Sequence, residues 1–322
     1  MKKVLILINK ITDAPTEDEL DVLDQVCEVE EALAELGYES HREFLDLNLQ
    51  SAKSSIQEYD PELVFNLVET VDGKGDLIFL APALLESMNI PFTGCGLKSM
   101  FITSDKTMAK EIMRFHGIST ADWFDSENLG KLSPQKTYLV KPQWEDGSVG
   151  IDDDAVFKGN DPRLLEFINA SPGRKFFVEE YIHGREFNLS ILGGENGPEV
   201  LAPAEIKFIN FPKGKPKIIG YRSKWDESSF EYQNTLRTFD FPDEDLPLLE
   251  RLDEICYQCW ELFDLKGYAR VDFRVNEKNE PFVLEINANP CISPDAGFYA
   301  ACGEAGYKFH EVIERIMYDA RL

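Results

Sequence analysis

The residues best placed to do chemistry lie in two short apolar runs, Gly267-Tyr-Ala-Arg-Val-Asp-Phe-Arg-Val275 and Phe282-Val-Leu-Glu-Ile-Asn287. In an extended strand, alternate side chains share a face. Arg270, Asp272 and Arg274 therefore point one way, while Ala269, Val271, Phe273 and Val275 point into a core. On the second run Val283, Glu285 and Asn287 share a face, opposite Leu284 and Ile286. A hairpin closed through Glu277-Lys-Asn-Glu280 sets Asp272 across from Glu285 and Arg270 across from Asn287. A two-residue slip would change the partners but not the face. Two carboxylates and an amide oxygen beside an arginine form an all-oxygen set that suits Mg²⁺ carried by a nucleotide. A solvated salt-bridge ladder on an exposed face fits the same pattern. Against it, Ala288-Asn-Pro290 ends the second run abruptly, and other segments want the same partner.

Those segments handle phosphate. Lys141-Pro-Gln-Trp-Glu-Asp-Gly-Ser-Val-Gly-Ile151 is a strand ending in lysine, followed by a loop with Gly147, Ser148 and Gly150. Small residues let backbone N–H groups approach phosphate oxygens, and a strand-end lysine adds a fixed positive charge. Gly-Ser loops are also common as plain structure. No Walker A loop, GxSxG elbow or HExxH motif occurs, and Gly94-Cys-Gly96 lacks the third glycine of a dinucleotide fingerprint. Cys256-Tyr-Gln-Cys259 sits in an amphipathic helical run and reads as a pair of core thiols. The four histidines are scattered without metal-ligand spacing, so a transition-metal site is not expected.

Taken in order over nearly the whole chain, these pieces resemble the ATP-grasp superfamily and, within it, the D-alanine–D-alanine ligase family. Ile90-Pro-Phe-Thr-Gly-Cys-Gly96 and Ser104-Asp-Lys106 are similar to the segment leading to that family's first ATP lysine. Lys141 and the Gly147-Ser-Val-Gly150 loop resemble its second ATP lysine and phosphate lid. Val178-Glu-Glu-Tyr-Ile-His-Gly-Arg-Glu186 matches the nucleotide hinge. By that match Glu179, Glu180 and Ile182 line the base and Glu186 takes the ribose hydroxyls. Arg270-Val-Asp272 and Leu284-Glu-Ile-Asn287 look like the metal and catalytic-arginine signature, and Lys224 stands where the family has a loop lysine that reaches phosphate.

The resemblance implies an ATP-grasp ligase that forms a peptide bond through an acyl phosphate. Its cofactors would be ATP with two Mg²⁺ ions, or Mn²⁺, held by Asp272, Glu285 and Asn287. Lys106, Lys141 and Lys224 would neutralise phosphate, and Arg270, Ser148 and Lys224 would form the catalytic set. The substrates would be small amino-acid-like carboxylates and amines, and a homodimer is implied by analogy. The departures fall on the substrate side. The family's Gly-Gly-x-Ser-x-Glu segment is replaced by the stretch from Asn9 to Glu17, its loop tyrosine by Trp225, its Thr-Ser-Pro-Gly turn by Ala288-Asn-Pro-Cys291, and its substrate serine by about Ala296. The amino-acid pair is thus open. Two other readings stay open as well: a ligase that modifies a peptide or protein end, and an ATP-binding scaffold without turnover.

Positioning these residues requires an α/β chain in three sections. Residues 1–95 alternate strand and helix: Lys3 to Asn9, a helix opened by the capping box Thr16-Glu-Asp-Glu19 and ended at Gly37, Tyr38 to Phe44, Leu63 to Asn66, and a helix from about Asp76 to Met88. That alternation means a parallel, Rossmann-like sheet ahead of the ATP-grasp fold. Residues 96–183 hold a helix from Ser104 to Phe115 and strands Tyr138–Lys141 and Phe176–Ile182. Residues 184–322 add strands Phe187–Leu192, Val200–Phe208, Ile218–Tyr221, Tyr268–Val275 and Phe282–Asn287, with helices near 245–263 and 308–320.

Composition narrows the partners. Thirty-three basic and 59 acidic residues among 322 give a formal net charge of −26. A nucleic-acid surface or a polybasic membrane contact needs the opposite sign, so neither partner is expected. With 43% hydrophobic residues the chain can still fold. No apolar run approaches the roughly 18 residues of a membrane span, and Met1-Lys-Lys-Val-Leu-Ile-Leu-Ile8 reads as a buried strand rather than a leader. A soluble, cytoplasmic protein is expected. The acidic excess is then mostly solvated surface, with ATP bound by cations gathered in one cleft.

Overall fold

The computed structural model describes residues 2–12, 15–171 and 173–320, without the side chain of Asp18. In the N-terminal sheet β1 (Lys2–Asn9) lies between β2 (Tyr38–Leu45) and β3 (Leu63–Asn66), all parallel. Val4 to Ile8 are fully buried, as expected of a strand covered on both faces. Helix α1 (Glu17–Glu35) starts after Thr16, whose backbone N–H donates to the Glu19 carboxylate at 3.3 Å. It stops before Gly37, which adopts φ 80°. Helix α2 (Leu49–Tyr59), absent from the sequence reading, returns the chain to β3. The helix expected from Asp76 is split: a 3₁₀ turn covers Gly75–Leu77, and α3 (Leu80–Met88) begins so that Pro82, which has no N–H to donate, falls in its first turn.

The helix expected from Ser104 to Phe115 forms from Lys106, and a further helix that was not expected precedes it. Helix α4 (Leu97–Ser104) ends at Asp105, whose extended backbone breaks the run. The Asp105 carboxylate then caps α5 (Lys106–Phe115), accepting from the N–H groups of Thr107 and Met108 at 3.0 Å each. A four-stranded antiparallel sheet follows, built from β4 (Trp123–Phe124), β5 (Thr137–Pro142), β6 (Val156–Lys158) and β7 (Phe176–Glu180) in the order β4-β7-β5-β6. Helix α6 (Arg163–Asn169) packs beside it.

The third sheet is antiparallel, in the order β11-β10-β8-β12-β13 with β9 on β8. Its strands are β8 (Gly184–Leu192), β9 (Glu199–Val200), β10 (Ala204–Phe208), β11 (Thr235–Thr238), β12 (Tyr268–Asn276) and β13 (Pro281–Asn287). The strand expected over Val200–Phe208 is interrupted at Pro203, which cannot donate to a ladder. The strand expected over Ile218–Tyr221 does not form. Gly220 is instead the N-cap of α7 (Tyr221–Trp225), and α8 (Phe230–Gln233) leads on to β11.

Helices α4, α5 and α9 (Leu246–Leu262) cover one face of this sheet in a core that includes Met113, Cys256, Cys259, Val271 and Phe273. Burial pushes the Cys259 thiol up to about 12 and raises Cys256 well above its ordinary value, which fits inert core thiols. Helices α10 (Gly297–Glu304) and α11 (Phe309–Asp319) share a second core with α1 and β1. The other face of the sheet is left for polar side chains. Among the described residues no helix is long and apolar enough to cross a membrane.

Candidate active site

That polar face is a lattice of cross-strand partners. On β12, Arg270, Asp272 and Arg274 lie opposite Ser190, Asn188 and Glu186 of β8. On the other side Arg270 pairs with Asn287 and Asp272 with Glu285 of β13, the register the hairpin pattern requires. One expectation needs correcting. A bulge between Asp272 and Phe273 sets Val283 opposite Phe273, so Leu284 is the extra residue and Val283 turns into the core at 1% exposure. Val283 therefore does not share the face of Glu285 and Asn287.

Charge is densely compensated there. Arg270 grips Asp272 through Nε and Nη2 at 2.8 Å each, while the amides of Asn188 and Asn287 donate to the same carboxylate at 2.8 and 3.1 Å. Lys106 is buried at the start of α5. Its Nζ donates to the Glu145 carbonyl and to Asp146, both at 2.8 Å, and stands 3.8 Å from Glu285 Oε2. Lys141 Nζ lies 3.6 Å from Glu179 Oε2. Burial alone would push Glu285 upward, but Lys141, Lys106, Lys224 and Arg270 outweigh it and hold its pKa at about 2. Burial similarly opposes the charge on Lys106 and Lys141, yet their carboxylate neighbours keep both above the ordinary lysine value. Lys224 is lowered, first by burial and then by Arg270.

The Gly147–Gly150 loop is folded onto the segment before Lys224. Gly147, Ser148 and Gly150 all have positive φ (65°, 63° and 76°). Ser148 Oγ donates to the Ile219 carbonyl at 2.8 Å, and the Tyr221 N–H donates to the Ile151 carbonyl at 2.7 Å. These bonds are what Ile218–Tyr221 makes in place of strand pairing. Trp225 Nε1 donates to the Gly147 carbonyl at 3.0 Å, so the indole fastens this loop.

At the hinge, Glu180 and Ile182 line a cavity of about 600 Å³, and Lys136 pairs with Glu180 at 2.5 Å. Glu179, the alternate residue on β7, does not line this cavity; its buried carboxylate is paired with Lys110 and Lys141. Lys110, which the sequence reading passed over, also donates to Thr120 at 2.7 Å. Glu186 is buried beside Arg274.

A second polar cluster is assembled from residues distant in sequence. Cys291 Sγ donates to Asp21 of α1 at 2.8 Å and meets Ser293 Oγ at 2.9 Å. Gln25 bridges Asp21 and Glu69 through its amide nitrogen and accepts from the Ile292 N–H. Burial raises the pKa of Asp21. Arg237 of β11 reaches the Asp295 carbonyl at 3.3 Å and lies near Gly297, and burial together with the Arg270 guanidinium lowers its pKa. Ala296 is the N-cap of α10 and offers no side-chain cap. Of the Asn9–Glu17 stretch, Asp13 and Ala14 lie outside the described residues. Asp21 and Arg237 had no signal in the sequence, because no motif links α1 and β11 to the 288–297 turn.

The family model for the D-ala D-ala ligase C-terminus matches residues 110–318, about two thirds of the chain. The chain belongs to this family. A D-alanine–D-alanine ligase of Rickettsia felis is 28% identical over 293 residues, covering 90% of this chain and 84% of the relative. That of Aquifex aeolicus is 29% identical over 294 residues, with 90% and 92% covered. In structure the chain is similar to the Bacillus anthracis D-alanine–D-alanine ligase complexed with ATP, at TM-score 0.77 and 19% identity over 100% of this chain and 98% of the other. The VanG D-Ala:D-Ser ligase of Enterococcus faecalis aligns at TM-score 0.70 and 15% identity over 99% of each. The fold is therefore that of the ATP-grasp D-alanine–D-alanine ligases. As a family member, the chain has its lattice of Asp272, Glu285 and Asn287 and its Trp225 inside the matched region, whereas Asp21 and Glu69 stand outside it.

Proposed function

We propose that this protein is an ATP-dependent carboxylate–amine ligase that forms a peptide bond through an acyl phosphate. The observation that carries the reading is the convergence of Lys106, Lys141, Lys224 and Arg270 on Glu285 beside Asp272. A substrate carboxylate oxygen would attack the γ-phosphorus of ATP and ADP would leave. The amine of the second substrate would then attack the acyl carbon, lose its proton and release phosphate. Lys106, Lys141 and Lys224 would hold the phosphates, and Arg270 would face negative charge on the acyl phosphate and the tetrahedral intermediate. Ser148 and Trp225 would keep the lid closed, because an acyl phosphate hydrolyses when water enters. The hinge cavity at Glu180 and Ile182 suits a base, with Glu179 supporting it from behind and Glu186 turned to the ribose.

Asp272, Glu285 and Asn287 suit Mg²⁺. Glu285 is held ionised, and an amide that donates through Nδ2 keeps its Oδ1 as an acceptor. Among the described residues no cluster of three His, Cys, Asp or Glu side chains could hold a metal ion, so one or two ions would also need oxygens brought by ATP. When bound, the metal would neutralise phosphate charge and orient the chain of phosphates. The stretches 1–95, 96–183 and 184–322 would act as an N-terminal unit, a lid-bearing unit and a metal-bearing unit, and a homodimer is the assembly to look for by sedimentation.

The altered turn at Ala288–Cys291, Trp225 and the acids around Cys291 favour an amino-acid pair other than two D-alanines. Incubation with ATP, Mg²⁺ and amino acid or dipeptide mixtures, with phosphate release and product masses followed, tests this. A new dipeptide mass with stoichiometric phosphate supports the reading. Phosphate release stimulated only by longer peptides would favour modification of a peptide end, and ATP binding without release for any acceptor would favour a scaffold.

A further inference from the structure

Arg274 has no part in the metal lattice, yet it is only 3% exposed. It stands directly opposite Glu186 on the neighbouring strand, with Nη2 3.3 Å from Glu186 Oε2. Nη1 donates to the Gly184 carbonyl at 3.3 Å, and Nη2 also donates to the Lys217 carbonyl. Its guanidinium lies over the rings of Tyr181, at 5.2 Å, and Phe208, at 5.8 Å. Tyr181 Oη pins the same residue, accepting from the Lys217 N–H at 3.1 Å. One guanidinium thus joins the end of the hinge, the carboxylate of Glu186 and the segment that runs on to Lys224. A buried arginine keeps its charge only where such partners replace water. The fixed fork and the ring contacts suit arginine better than lysine.

We propose that Arg274 is a positioning residue for the nucleotide: it fixes the Glu186 carboxylate to receive the ribose hydroxyls of ATP and docks the 209–220 segment against the same carboxylate. The inference rests on the ligase reading above, specifically on Glu186 facing the ribose. Burial raises the pKa of Glu186, and Arg274 is the strongest influence keeping the acid ionised, the form that can accept from both hydroxyls. Without Arg274, Glu186 is free to turn, protonate or pair elsewhere, and the ribose contact is what fails.

The test is calorimetric binding of ATP and of 2′,3′-dideoxy-ATP, each with Mg²⁺, to the full chain, which requires no knowledge of the amino acid substrates. The wild type should bind ATP on the order of 10- to 100-fold more tightly than the dideoxy analogue, the range expected of hydroxyls bonded to a charged group. Arg274→Met should lose most of that ratio while its affinity for the dideoxy analogue changes by less than about threefold. Combined with Glu186→Gln, the Arg274→Met substitution should have little further effect, because the two act through one contact. Arg274→Lys keeps the charge without the fork and, read in the same way, serves if the methionine variant does not fold. An unchanged ratio in either variant, with both affinities falling together, overturns the inference as a merely structural effect. A wild type that binds ATP but ignores the hydroxyls overturns it at Glu186, and a wild type that does not bind ATP removes the ligase reading itself.

Discussion

Two polar clusters, a phosphate end so named for the role we propose and a far end around Cys291, treat buried carboxylates in opposite ways. At the phosphate end Glu285 faces Lys106, Lys141, Lys224 and Arg270, and its pKa drops to about 2. At the far end Asp21 is bonded to a thiol, a hydroxyl-bearing turn and an amide, and its pKa rises. The first arrangement balances buried cations against buried carboxylates, and we propose that it receives a polyanion. The second holds its carboxylate by neutral donors, and we propose that it would suit an ammonium group. Arg237, close enough to Arg270 to be lowered by its charge, bonds to the Asp295 carbonyl beside this second cluster.

The largest effect should come from the phosphate end. Asp272→Asn or Glu285→Gln is expected to lower turnover by on the order of 10²–10³-fold or more, the cost of removing one preorganised electrostatic contact. Phosphate release in the presence of the productive amino acid pair measures it. Wild-type turnover in both variants would dissolve the contrast, because the cations would then balance the wrong acids. Next in size is Lys141→Met, which should weaken ATP binding by about 10- to 100-fold, since a charge-assisted bond to phosphate is lost. Unchanged affinity by titration calorimetry would remove Lys141 from the nucleotide side.

Trp225 is bonded to the Gly147 loop, and its loss should be milder. Trp225→Phe keeps a ring and deletes the bond from Nε1 to the Gly147 carbonyl. A neutral hydrogen bond is worth about 0.5–1.5 kcal/mol net, so a two- to tenfold rise is expected in ATP hydrolysis uncoupled from product. The ratio of phosphate to dipeptide measures it, and a ratio that stays at one would mean that the indole does not hold the lid.

The contrast also explains what could be read from the sequence. The grouping of Arg270, Asp272, Glu285 and Asn287 was legible because it lies on adjacent strands of a hairpin, where a period of two and a short turn fix which side chains meet. Even so, the bulge at Leu284 escaped, since one extra residue leaves no mark in an apolar run. Helix α4 escaped too, and the start of α5 moves two residues, because Ser104-Asp-Lys106 reads equally well as a cap at Ser104 or at Asp105. Ile218–Tyr221 has strand-like residues but spends its hydrogen bonds on the lid, a tertiary choice that local propensity cannot show. The far end was not legible. Asp21 and Cys291 are 270 positions apart, and only the packing of α1 against α10 and α11 brings them together.

The smallest prediction sharpens the comparison through stability alone. Glu285 has a folded pKa of about 2, below its ordinary value near 4.5. Its ionisation therefore stabilises the fold above about pH 4.5, and that contribution is lost as pH falls toward 2. Asp21 is raised above its ordinary 3.8, so its ionisation costs stability at neutral pH, and the cost disappears as the group protonates in acid. Melting curves of the nucleotide-free protein should then shift in opposite directions: Glu285→Gln lowers Tm at pH 7, whereas Asp21→Asn raises it by about 2 °C. Both shifts should shrink as pH falls below 4. If Asp21→Asn instead lowers Tm at pH 7, the bonds from Cys291 and Gln25 outweigh burial, and the far end is a neutral structural knot rather than a place prepared for a cationic group.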